Sequence, residues 1–194
     1  MLTDSTAVGL HEAFGRILDR ANSIATSSTS RIITLEHLEA IARALRCEWA
    51  VSWEADSAGK FLNAASIWKL SEVKAQEVEQ DTYARQLRMS EATAGHVWRS
   101  RKPIWMTDVF RVMCSPRCLL AKQAGLEGGV WIPLKTLSAV YGVLEIVATR
   151  ADAVIAVERL AVSFGYLIEA ALLDGRAPSI GGLPAHVGTA RFEP

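Results

Sequence analysis

Cys118 stands three residues after Ser115, with Pro116 and Arg117 between them, and this run places a thiol in the first turn of an expected helix. Backbone N–H groups at a helix N-terminus lower a thiol pKa, so Cys118 is a candidate reactive group, set against the ordinary state of a buried, inert cysteine. Cys114 precedes the Pro and falls off the helical face. The two thiols therefore lack the arrangement of paired metal ligands, and no metal site is expected. His96 could ligate haem, although a solvent-facing His is the plainer reading. Arg117 gains nothing from the dipole at its position and should answer a carboxylate or a ligand anion. Asp108, at a strand end, can accept from loop N–H groups or anchor a ligand. Six of the fourteen aromatic residues are Trp, and Trp68, Trp98 and Trp105 fall in segments expected to border a pocket. The pocket candidates are thus Trp68, Trp98, Trp105, Asp108, Arg117 and Cys118, with no residue assigned to catalysis.

The elements that must position these residues follow from periodicity. Leu10, Phe14, Ile17, Leu18, Ala21 and Ile24 share a helical stripe, and Thr34 can cap a second helix with Leu35, Leu38, Ile41, Ala42 and Leu45 on one face. From Cys47 the period becomes two. Trp49, Val51 and Trp53 alternate with Ala50 and Ser52, a turn falls at Asp56 to Gly59, and Phe61 to Trp68 is a second strand. Lys69 to Met89 reads as one exposed, charged helix, followed by a short helix at Ala92 to Trp98 and a strand from Ile104 to Thr107. Ser115 caps the next helix, Gly125 stops it, and strands at Val130 to Leu134 and Ala139 to Val147 precede a final amphipathic helix spanning Val157 to Ala171. Trp131 alternates with Val130 and Ile132, so it faces opposite to them. The sequence divides into an N-terminal amphipathic helix and linker at 1–30, a domain at 31–175 and a flexible tail at 176–194.

At 194 residues, half of them hydrophobic and 22% charged, the chain is long enough for one domain with a sizeable core. Its 21 basic residues cancel its 21 acidic ones, so nucleic acid and membrane surfaces are not expected partners. The opening segment has no apolar signal-peptide core, and the three cysteines suggest no disulfide framework, so a cytoplasmic location is expected.

Gly95-His-Val-Trp98, Lys102-Pro-Ile-Trp-Met-Thr-Asp-Val109, Arg117-Cys-Leu-Leu-Ala121, Ala124-Gly-Leu126, Val130-Trp-Ile-Pro-Leu134 and Tyr141-Gly-Val-Leu-Glu145, taken in order, resemble the GAF domain family over about residues 32 to 173. The similarity is to the sensory modules of bacterial histidine kinases and cyclic-di-nucleotide signalling proteins. It implies an α+β fold with a central antiparallel sheet of five or six strands, terminal helices on one face, and short helices plus a pocket on the other. It also implies a sensor that binds an unidentified small molecule, forms a homodimer through its terminal helices, and relays ligand state to an output domain or kinase partner. A structural dimerisation module with a filled pocket is the alternative.

Departures from the family pattern narrow the chemistry without naming a cofactor. Leu119 follows Cys118 where bilin-binding relatives carry a Cys-His pair, and no cyclic-nucleotide signature is present. Met89 to Gly95 contains none of the cysteines used by the free methionine-R-sulfoxide reductases of the family, so a non-enzyme is expected. Haem, a tetrapyrrole or a relocated thiol-redox pair remain the lesser readings.

Overall fold

The computed structural model describes residues 33–108, 115–135 and 140–149. Helix α1 (Leu35–Leu45) starts at Thr34, where His37 takes the reciprocal place that a Glu usually fills, its Nδ1 accepting from the Thr34 N–H at 3.2 Å. Leu38, Ile41, Ala42 and Leu45 lie on its buried face, as their spacing requires, whereas Leu35, expected on the same face, is 52% exposed in the first turn. Arg46 ends the helix in the left-handed region at φ 56°.

Strands β1 (Trp49–Ala55) and β2 (Leu62–Lys69) form an antiparallel hairpin. The carboxylate of Asp56 closes its turn, accepting from the N–H groups of Lys60 and Phe61 at 2.7 and 3.2 Å. The single long helix expected from Lys69 to Met89 is corrected to a shorter helix and a strand. Lys69 is claimed by β2 through its pairing with Trp49, α2 is confined to Gln76–Ala84, and Gln86–Leu87 forms β3 against Asn63 and Leu62. Burial explains the division, because Leu87 is driven under the sheet edge while Val78 and Thr82 are the inward positions of α2.

Then come α3 (Ala92–Ser100), β4 (Ile104–Met106), α4 (Pro116–Gln123), β5 (Gly128–Lys135) and β6 (Val140–Ala148). The six strands make one antiparallel sheet in the order β3-β2-β1-β6-β5-β4, at the upper end of the expected count. Alternation divides it into two faces. Ala50, Trp68, Ile132, Leu144 and Ile146 pack with α1 on the back, whereas Trp49, Val51, Trp53, Trp131, Val143 and Val147 pack on the front with residues of α2, α3 and α4. Gly142 allows β6 to lie close to β1, since a Cβ there would collide with the Trp53 carbonyl oxygen. The helices expected at 10–24 and 157–171, the tail, Cys114, and the outer limits of the domain lie outside the described residues.

Candidate functional site

The register of three central strands builds the site. Glu145 on β6 stands opposite Val51 of β1 on one side and Trp131 of β5 on the other, while Trp49 and Trp53 flank Val51 two positions either way along β1. Same-face diagonal neighbours in a sheet lie within reach of long side chains, so three indoles meet around one carboxylate. The Nε1–H of Trp49 donates to Glu145 Oε1 at 3.1 Å; those of Trp53 and Trp131 donate to Oε2 at 3.0 and 2.9 Å. Glu145 is 1% exposed and is the only charged residue of its strand.

A cation completes the arrangement. The Ser115 hydroxyl caps α4 by accepting from the Cys118 N–H at 3.2 Å, and Pro116 occupies the first helical position. Arg117 is thereby aimed inward from the second position. Its Nη2 donates to Glu145 Oε1, its Nε donates to Thr82 Oγ1 on α2 at 2.9 Å, and its guanidinium lies 5.7 Å from the Trp53 ring centroid. Thr82 is held in turn by donating to the Val78 carbonyl at 2.6 Å. Burial pushes the Glu145 carboxyl upward, but the Arg117 charge and its hydrogen bond, with those of Trp131 and Trp53, outweigh burial and hold it below the ordinary carboxylate value. The site keeps a buried ion pair with every lone pair of the carboxylate used.

Beside this pair is a cavity of about 370 Å³ between the front of the sheet and helices α2, α3 and α4. Trp49, Trp53, Trp131 and Glu145 line it from the strands, Arg117 and Cys118 from α4, and Arg85 from the end of α2. Arg85 is fixed by two bonds to Asp81, at 2.6 and 2.9 Å. Cys118 is partly exposed, and its Sγ accepts from the Ser115 hydroxyl at 3.2 Å.

Of the six residues singled out from sequence, the fold brings Arg117 and Cys118 into the cavity. Trp68 is buried on the back face under Arg43, because it pairs with Ala50, which faces α1. Trp105 also packs against the back core, as the alternate position to Ile104 and Met106 on β4. Trp98 is buried in the front core away from the cavity lining, and Asp108 is exposed at the end of β4. His96 lies on the exposed face of α3. Sequence reasoning missed the central residue, Glu145, and the three indoles it collects. A lone carboxylate inside an apolar strand, with Trp at i and i+4 on one face of another strand, was the available signal.

This arrangement of sheet and helices is the GAF fold. No protein-family model matches the chain, and no curated protein matches it. Solved structures do. A GAF domain matches over 88% of this chain and 93% of its own, with 10% identity and a TM-score of 0.55. The GAF domain of a phosphoenolpyruvate-protein phosphotransferase from Coxiella burnetii matches over 85% and 98%, with 16% identity and a TM-score of 0.52. The fRMsr of Staphylococcus aureus, in complex with substrate, matches over 82% and 95%, with 13% identity and a TM-score of 0.51. That last neighbour corrects the expectation of a non-enzyme: fRMsr is an enzyme, so the fold itself is compatible with catalysis. At this identity the likeness is one of fold. Among the described residues no helix is long and apolar enough to cross a membrane.

Proposed function

We propose that the protein is a sensory GAF domain that takes a small molecule into the cavity on the front of its sheet and passes the change to an output domain or kinase partner. The observation that carries this reading is the cavity floored by Trp49, Trp53 and Trp131 and bordered by Arg117. A space of about 370 Å³ with apolar walls and a few fixed polar groups has the size and chemistry of a small-molecule site.

The path of relay starts at Arg117. This side chain ties α4 to β6 through Glu145 and to α2 through Thr82, so a ligand that bears on Arg117 acts on three elements together. Strand β6 leads towards the segment at 157–171, whose periodicity predicts a helix suited to dimerisation and output. Native mass spectrometry of the purified protein, followed by a tryptophan-fluorescence screen of small metabolites, tests the reading. A retained small molecule, or a compound that quenches fluorescence with saturable binding, is expected; a screen in which no compound binds overturns it.

A further inference from the structure

We infer that the cavity is built for a compact monoanion, a carboxylate carried on a flat or apolar body, with Arg117 as the group that receives the charge. The inference rests on the cavity being a ligand site and adds the class of ligand.

Arginine has five N–H donors, of which Nε is used by Thr82 and one Nη2 proton by Glu145. Three therefore have no acceptor among the described residues, on a side chain that is 17% exposed and lines the cavity. Glu145 has the opposite condition. Its two oxygens accept from Trp49, Trp53, Trp131 and Arg117, which fills the four lone-pair positions of a carboxylate, so it has nothing left to offer an ammonium or hydroxyl donor.

The aromatic surface selects in the same direction. An indole cluster beside a carboxylate could suggest capture of a cation, but Arg117 already occupies the position 5.7 Å from the Trp53 ring centroid. A second cation would meet that positive charge at close range. Arg85 also lines the cavity, held by Asp81, which does not line it. Glu91 also lines the cavity, but it is exposed to water and its Oε2 accepts from the Arg88 N–H. Each arginine is already matched to one acid and Glu91 adds a third, so the site has no net positive charge and an anion is received by the remaining N–H donors of Arg117. This favours one negative charge over a phosphate or polyphosphate dianion. Trp131, Met106 and Ala121 supply apolar lining for the body of the ligand.

Matched probes test this: 3-phenylpropanoate and indole-3-acetate, their primary amides, choline, and inorganic phosphate, each titrated by calorimetry and tryptophan fluorescence at constant ionic strength. At least one carboxylate should bind about tenfold or more tightly than its amide, with choline and phosphate weaker still. The double variant R117Q/E145Q, which removes both charges together, should lose about tenfold or more in carboxylate affinity while circular dichroism shows the fold retained; R85Q provides a second folded variant with a smaller loss. Amides or choline binding as tightly as the carboxylates, or carboxylate binding unchanged in folded R117Q/E145Q, would overturn the ligand class while leaving the cavity a ligand site. Failure of every probe, neutral and charged, overturns this inference, and the wider metabolite screen then decides the sensory reading separately.

Discussion

Arg117 and Glu145 form the ion pair with the most deeply buried acid among the described residues, joining the second position of a short helix to the middle of the sheet. The pair stands 28 residues apart in the chain, so it closes a long loop on which α4, β5 and part of β6 depend. Removing the cation alone leaves a charge that the interior cannot hydrate. Arg117→Met should cost about 3–5 kcal/mol in urea unfolding, and Glu145→Gln added to it should recover part of that loss. Additive losses in the double variant would show that the two residues do not act as a pair.

The acid side of the stability profile should carry the signature of Glu145. Its folded carboxyl lies below the ordinary 4.5, so below that pH the unfolded chain takes up a proton that the folded chain refuses. Stability from this group is complete above 4.5 and falls as the pH drops through the folded value. Folded Glu145→Gln should show a shallower decline over the same range in chemical unfolding at stepped pH; a slope equal to that of the parent protein would place the titration elsewhere.

Gly142 sits where β6 passes the carbonyl oxygen of Trp53. Gly142→Ala should displace β1 from β6 and disturb Trp53 and Glu145 with it, at a cost of about 1–3 kcal/mol, the usual range for overpacking a tight site. The check is a fall in melting temperature with a red shift of tryptophan emission. An unchanged melting temperature would mean that the strands yield freely.

The two cysteines of the described residues should differ in alkylation. Burial, and secondarily Glu48, push the Cys47 thiol up to about 12 from an ordinary 9.0, and it is 4% exposed. Cys118 borders the cavity and is partly exposed. Peptide mapping after brief treatment with N-ethylmaleimide should find Cys118 modified about tenfold or more ahead of Cys47. A cavity-bound carboxylate should slow Cys118 alone. Because the folded thiol of Cys47 is raised, its linkage runs opposite to that of Glu145: stability is complete below the unfolded value and declines as the pH rises past 9.0 towards 12.

Much of the scaffold was legible because periodicity is a local property. The stripe of α1, the Ser115 cap with Pro116, and the alternation of Trp49, Val51 and Trp53 each reflect burial of one face of one element. The site depended on which faces meet, and that is set by register across strands. Trp68 and Trp105 fall in segments expected to border a pocket on the front of the sheet, yet strand pairing turns both to the back. Arg117 was expected to answer a carboxylate or a ligand anion, but the acid it meets is 28 residues away and nothing local points to it. The charged run from Lys69 to Met89 hid a chain reversal because Leu87 owes its burial to Leu62 in another strand.

The three indole protons that converge on Glu145 also give the molecule its own set of spectroscopic witnesses. Each Nε1–H of Trp49, Trp53 and Trp131 is bonded to one oxygen or the other of the same anion, so a change in charge or position at that anion reaches all three resonances together. In nitrogen-15 spectra they should stand apart from the indole signal of Trp105, whose ring packs on the other face. A titration that moves the three along one common binding curve would follow events at Arg117 with no reporter group added to the site.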